Sequence, residues 1–467
     1  MHKTRHASKR PRRAAVRPVA RRRSKPDASF RNGYERGYQA GVELGRLSFG
    51  AIFEGTSIII PSYNQAGYLK GCIESIIEHT DLPYEIIVVD NASTDGTANY
   101  LRSLSGQVRY RIMETNRGFA GAVNVGLMMA KGQTIVLLNN DTLVTERWLD
   151  NMLTCLGSDP RIGMVGPVTN YIGGNQQIDV PYTAIEDMQE FARQFNQSDP
   201  AKWHLTDRLV GYCLLFRKEL LERTGYLDEG FKIGNFEDDD YNIRVRLQGY
   251  MLVVARDTFI HHFGSVSVKA LGEQFTAIND NNMSFYMAKW GNPHELVFRV
   301  RDLLNHDLAN GGKWREPDSI LARNGETAFY PDQVVVRGVQ DTCYWIEAGV
   351  RRPISGQISI APARLSQVEL KRWPLGDKIE AGELNQRWQG TDPNSAAELH
   401  RPIEPLILHE NQHFILEDGR RRAIVTIAAL TTWGLYQRPV TELQPDVFAS
   451  LPEGLPIIAP PLTADFL

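Results

Sequence analysis

The sequence predicts an α/β fold: a mixed, mainly parallel sheet with helices on both faces, followed by a β-rich region. Three observations carry this. Short apolar runs alternate with helix-period segments between residues 56 and 142. Each run ends on a polar residue. Beyond about residue 330 the pattern becomes short alternating strands with Gly turns, and one such hairpin recurs 70 residues later.

In order, TSIIIPSYN (56–64) reads as a buried strand ending at Pro61, Ser62, Tyr63 and Asn64. Leu69, Cys72, Ile73, Ile76 and Ile77 then recur at the spacing of an amphipathic helix. YEIIVVDNAS (84–93) is a second strand, ending at Asp90, with Ser93 or Thr94 able to cap the next helix and Asp95 in its first turn. VRYRIMET (108–115) is a third strand, and NRGFAGAVNVGLMMAKG (116–132) a Gly- and Ala-rich turn entering a helix. TIVLLNNDT (134–142) is the fourth strand, stopping on Asn139, Asn140 and Asp141. Strand follows helix follows strand, and the strands are apolar throughout, which calls for cover on both faces.

Further on, 163–174 reads as strand then loop, 175–206 has little periodicity, and 207–217 returns to a strand. FEDDDYNIRVRLQGY (236–250) is a helix opened by four acids, and MLVVARDTFIHHFGS (251–265) a strand ending in His261 and His262. Residues 266–325 read as helix and linker. The echo lies in YWIEAGVRRPI (344–354) and FILEDGRRRAI (414–424), where Gly349 and Gly419, Arg351 and Arg421, and Arg352 and Arg422 are each 70 apart. The expected layout is a basic arm with a Gly-repeat segment at 1–50, an α/β domain at 54–300, a linker at 301–329, and a β-rich domain at 330–467 with units at about 333–395 and 403–460.

Composition bounds the function. The 467 residues are 42% hydrophobic and 23% charged, ordinary for a globular protein, and no run suits a membrane span. No secretory h-region follows the basic start, so the expected place is the cytoplasm or the inner face of the membrane. Cys72, Cys155, Cys213 and Cys343 form no CxxC pair and read as free thiols. Residues 1–36 hold 13 Lys/Arg against 2 Asp/Glu, so a basic arm precedes an acidic body. The arm suits an anionic membrane surface or an acidic partner, with a plain solvated tail as the alternative; no specific nucleic acid is expected. Gly33, Gly37, Gly41 and Gly45 form a small-residue stripe on a helix that Gly itself weakens.

Carboxylates at the carboxyl ends of parallel strands lie where open α/β sheets bind ligands. Oxygen-rich Asn139–Asp141 suits a hard divalent cation and, through it, a diphosphate; a polar turn is the plainer account. Acids opening a helix are favoured by its dipole, but four packed together repel and point to a cation, a basic partner or catalysis. Adjacent His261 and His262 at a strand end face opposite ways, so only one serves a given site.

Together, IIIPSYN, IIVVDNASTDGT, NRGFAGAVNVG, LLNNDT and FEDDDYNIRVRLQGY followed by HHFG resemble, in family order over roughly 55–265, the inverting nucleotide-sugar glycosyltransferases of family two. These have the GT-A fold, and the likeness is greatest to the bacterial rhamnosyltransferase-like branch. The resemblance implies a donor site of Pro61, Tyr63, Asn64, Asp90, Asn116, Gly118, Phe119, Ala120, Asn124, Asn139 and Asn140. It implies a Mn²⁺ or Mg²⁺ ion on Asp141 with His262 as first choice and His261 as second. Catalysis falls to Asp238 as base, with Glu237 and Asp240 beside it; Asp239 stands where the family usually has a hydrophobe. The expected reaction moves a sugar from a nucleotide-diphosphate donor to a hydroxyl of a surface polysaccharide, glycolipid or glycoprotein. The alternative is a non-catalytic sugar or nucleotide binder within a cell or spore surface layer.

Overall fold

The computed structural model describes residues 52–104, 108–264, 274–309, 320–389 and 403–467, with Arg36, Gly106 and Gly272. The expected basic arm and Gly stripe, and the break at 311–317, lie outside the described residues.

Four parallel strands build the first half: β1 (Phe53–Ser62), β2 (Tyr84–Asp90), β3 (Arg109–Ile112) and β4 (Gly132–Leu138). The register sets Ser62 beside Asp90, and Ile59 beside both Ile87 and Leu137. After a two-residue strand β5 (Thr142–Leu143) come β6 (Ile162–Val168), β7 (Trp203–Thr206), β8 (Cys213–Arg217) and β9 (Met251–Phe259). The eight-stranded order is β3-β2-β1-β4-β8-β6-β9-β7, antiparallel at β4–β8, β6–β8 and β7–β9. The mixed, mainly parallel sheet is therefore as expected, and 175–206 resolves into a short helix and the edge strand β7. The strand expected to run through His262 stops at Phe259. His261–His262 form β10, which pairs antiparallel with β5.

Alternation along each strand fills two cores. Ile58, Ile60, Ile86, Val88, Val136 and Leu138 face one layer, with helices α1 (Ala66–His79) and, after α2 (Thr97–Ser103) and α3 (Gly118–Met129), α4 (Trp148–Ser158). Ile59, Ile87, Ile135 and Leu137 face the other, with α3 and, after α5 (Met188–Phe195), α6 (Lys218–Thr224) and α7 (Glu237–Leu247). Two-sided burial is why these strands are apolar at every position.

The expected linker at 301–329 is structured where it is described. Helices α8 (Gln274–Trp290) and α9 (Pro293–Ala309) run on to Ala309, and turns at 320–329 bury Phe329 completely. Val297, Val300 and Leu304 make an apolar face among charged neighbours, which hides it from a composition reading.

The β-rich region holds two small sheets with one pairing scheme. Trp345 lies opposite Arg352 and Ile346 opposite Arg351; 70 residues on, Ile415 lies opposite Arg422 and Leu416 opposite Arg421. Both hairpins turn through left-handed pairs, Ala348–Gly349 and Asp418–Gly419.

A buried ionic cluster joins α7 and α8. Lys289 Nζ lies 2.7 Å from Asp228 and 2.6 Å from Asp240. Trp290 Nε1 donates to Asp240, and Arg244 bridges Asp240 and Glu326. Burial, opposed by Arg244, pushes Glu326 up to about 7. Replacing Lys289 with Met leaves buried Asp228 without its cation and Asp240 with Arg244 as its remaining cation, an expected loss of about 3–5 kcal/mol in denaturant unfolding. Lys70→Met, in an exposed pair with Glu74, should stay within about 0.5 kcal/mol.

Candidate functional site

The polar residues gather where β1, β2 and β4 end. Asp90 is fully buried; its Oδ1 accepts from the Ser93 amide at 3.0 Å and its Oδ2 has no partner. Asn64, left-handed at φ 57°, takes the Thr94 amide on its side chain and donates its own amide to Ser93 Oγ. Tyr63 is exposed beside it, and Pro61 is buried in β1 next to Val89. The Asn140 amide reaches Ser62 Oγ at 3.1 Å, and Asn139 Oδ1 is buried without a partner.

Asn91, which sequence reasoning passed over, ties the second strand end to the Gly-rich loop. Its side-chain amide donates to Asn116 Oδ1 and the Gly118 carbonyl, each at 2.9 Å, and its oxygen accepts from the Arg117 amide. Gly118 sits at φ 74°, and a Cβ there would lie 3.0 Å from the Ile233 nitrogen, so the loop needs glycine. The Phe119 amide donates to the Ile233 carbonyl at 2.7 Å.

Asp141 and His262 form the centre. Both are buried, with Oδ1 and Nε2 3.3 Å apart. His262 Nδ1 lies 2.8 Å from the Tyr171 carbonyl, which can only accept. In the neutral ring Nε2 then offers a lone pair toward a carboxylate. Such acceptors repel unless a proton or a metal ion lies between them. Two ligands about 2.1 Å from one octahedral ion at right angles stand roughly 3 Å apart, so the pair fits a small divalent cation. Among the described residues no group of three or more His, Cys, Asp or Glu gathers as a metal site. His261, on the opposite face of β10, bonds Tyr182 instead, Nδ1 to hydroxyl at 2.7 Å. It is not brought to Asp141, because strand alternation turns it away.

The four acids of α7 separate because each residue turns about 100°. Asp239 pairs with Arg208 at the surface, and Asp240 belongs to the buried Lys289 cluster. Asp240, expected beside the base, is thus placed with Lys289 and apart from Glu237 and Asp238. Glu237 and Asp238 remain side by side: Glu237 Oε2 lacks a partner, and Asp238 accepts from the Gly211 and Asp239 amides. Burial and the adjoining Asp238 push Glu237 well up; burial, then Asp239, raise Asp238 to about 6 while Arg208 opposes.

Gly211 and Tyr212, also unremarked in the sequence, join the two halves. Gly211 holds Asp238, and a Cβ there would meet the Asp238 Cβ at 3.1 Å. The Tyr212 ring stacks on His262 and its carbonyl accepts from the Asn139 amide. Asn124 is elsewhere: buried, it is spent on the Leu227 backbone and Glu229, so it supports the 227–229 turn rather than a ligand.

Residues 57–225 match the family model of Glycosyl transferase family 2. The chain is 31% identical over 118 residues to glycosyltransferase GlyG of Streptococcus pneumoniae serotype 4, covering 25% of this chain and 39% of that one. It is 25% identical over 226 residues to glycosyltransferase AglE of Haloferax volcanii, covering 47% and 70%. A solved mannosyltransferase of Pyrobaculum calidifontis, in complex with GDP-Man and Mn²⁺, aligns at 24% identity and TM-score 0.35 over 45% of this chain and 57% of that one.

A reaction using Asp238 as base needs its carboxylate, so kcat/KM should rise with pH through about 6 on the acid limb. Asp239→Asn removes a charge that raises Asp238 and should move the limb down; Arg208→Gln should move it up.

Proposed function

We propose that the chain, whose residues 57–225 match the model of Glycosyl transferase family 2, is a metal-dependent, inverting glycosyltransferase using a nucleotide-diphosphate sugar. The observation that carries this is the Asp141–His262 pair, two buried Lewis bases 3.3 Å apart, joined through Tyr212 and Gly211 to a raised carboxyl at Asp238.

Asp90, through its unpartnered Oδ2, and the Asn64–Ser93–Thr94 knot would receive the nucleoside. The loop from Asn116 to Phe119 would pass beside the ribose and diphosphate. A divalent cation on Asp141 and His262 would neutralise charge developing on the leaving diphosphate, a contribution of several kcal/mol. Asp238, held by Gly211, would take the proton of the acceptor hydroxyl as it attacks. One displacement inverts the anomeric carbon and needs no covalent intermediate. Cys72, whose Sγ lies 3.7 Å from Thr142 Oγ1 beside Asp141, fits this: it is buried and its pKa is raised to about 12 by burial, far from a thiolate. The acceptor is a hydroxyl of a surface polysaccharide, glycolipid or glycoprotein.

The test is transfer from a panel of UDP-, GDP- and dTDP-sugars with Mn²⁺. Asp238→Asn should lose at least about 100-fold in kcat. His262→Ala should raise the Mn²⁺ requirement about tenfold or more, whereas His261→Ala should leave it near that of the native chain. Full transfer by Asp141→Ala or Asp238→Asn protein would refute the assignment.

A further inference from the structure

We propose a second ligand site, for a phosphoryl anion, on the rim of the sheet opposite the Asp141 cleft. Strands β6 and β9 run parallel to one another and, through antiparallel β8, in the sense of β4. Their first residues therefore lie at the amino rim. A cavity of about 650 Å³ opens there, bounded also by the ends of β7 and α7 and by α9.

Its charge is one-sided. Among the described residues Arg161, Arg223, Arg246 and Arg301 line it, against the carboxylate of Asp207. Arg246 is the built element: its side chain is only 8% exposed, and Nη2 lies 2.5 Å from Asp207 Oδ1. Burial holds this guanidinium below its ordinary value; Asp207 opposes that and Arg301 adds to it. Arg301 lies over the Phe298 ring, and Arg161 is gripped by Asp159 at 2.6 Å. Gln248 supplies an independent observation. Its amide donates to Thr224 Oγ1 at 2.9 Å and to the Arg244 carbonyl, while its buried Oε1, on a residue 6% exposed, has no partner.

These features select one chemistry. Clustered guanidinium groups favour phosphoryl oxygens, which they bind in pairs. Asp207 already engages both arms of Arg246, Nη2 through its carboxylate and Nη1 through its carbonyl at 3.2 Å, so an arriving anion shares them. The Gln248 oxygen accepts from a P–OH or from a hydroxyl beside the phosphate. A phosphate ester in solution and a phospholipid headgroup both present that chemistry.

The experiment is calorimetric titration of the full chain with inorganic pyrophosphate in EDTA, which withholds the cation that a diphosphate needs at the Asp141 cleft. One saturable site is expected, weakened about tenfold or more by Arg301→Glu, an exposed change, and tightened several-fold by Asp207→Asn, which takes the carboxylate from Nη2 of Arg246 and leaves the Nη1 bond to the backbone. The Asp207 substitution separates this pocket from any loose basic surface, which it would not affect. Phosphatidylglycerol vesicles that displace pyrophosphate, where phosphatidylcholine vesicles do not, assign a lipid headgroup; retained binding assigns a soluble ester. No saturable heat up to about 10 mM pyrophosphate, or binding indifferent to both substitutions, overturns the site.

Discussion

One hydrogen bond orders the cleft: the Tyr171 carbonyl on Nδ1 of His262. It decides which nitrogen is free. The β5–β10 ribbon places His262 opposite Thr142, one residue beyond Asp141, so the free nitrogen meets that carboxylate. Asn170 pins the same residue, accepting from the His262 amide at 2.9 Å and donating to its carbonyl at 3.2 Å. Stacking on Tyr212 fixes the plane of the ring. Orientation of an imidazole by its other nitrogen is what would hold this pair ready for the proposed cation.

The loop ahead of α7 is the complementary constraint. Ile233, Asn235 and Phe236 all have left-handed backbones, each costing about 1–3 kcal/mol. The surroundings over-determine them. Asn282 of α8 accepts from the Lys232 amide and faces the carbonyls of Lys232, Gly234 and Asn235 with its own. Phe119 holds Ile233 from the Gly-rich loop, and the Leu462 carbonyl accepts from the Glu229 amide. Segments remote in sequence thus set the position of Glu237 and Asp238, and the strain is concentrated beside the proposed base.

Much of the first half was legible because its signals are local. Apolar strands with polar ends follow from two-sided burial, and Asn64, Asp90 and Asp141 lie just at or beyond the ends of β1, β2 and β4, whereas His262 sits in the separate strand β10 rather than at the end of β9. Less legible were side chains whose partners are distant in sequence. Asn124 and Asp240 sit in motifs that look like ligand sites, yet Leu227 and Glu229 in one case, and Lys289 in the other, claim them. A helix opened by four acids shows no sign in one dimension of which acid meets a lysine 49 residues later. Gly211 and Tyr212 were passed over because a glycine before a strand is common, and its contact with Asp238 depends on the fold. The helix through 301–309 was hidden by its charged residues, since its apolar face is narrow.

The duplicated hairpins bear on what the β-rich region does. Exposed arginines and aromatics would suit a glycan or a protein surface, but those of the second copy are largely committed. Arg422 donates to the Leu455, Tyr330 and Ala328 carbonyls and pairs with Glu417; Arg421 donates to the Phe448 carbonyl and lies over its ring. In the first copy Arg352 likewise reaches the Asp377 carbonyl and Glu347. Both sheets share one core with Trp290 and the apolar face of α9. The Thr426 hydroxyl donates to the Lys289 carbonyl at 3.2 Å. Support therefore passes from the paired sheets to α8, and from Asn282 and Lys289 of that helix to the strained loop and the first turn of α7. On these contacts the β-rich region packs behind the helix that positions the acid pair, and Arg352, Arg421 and Arg422 are spent inward on carbonyls.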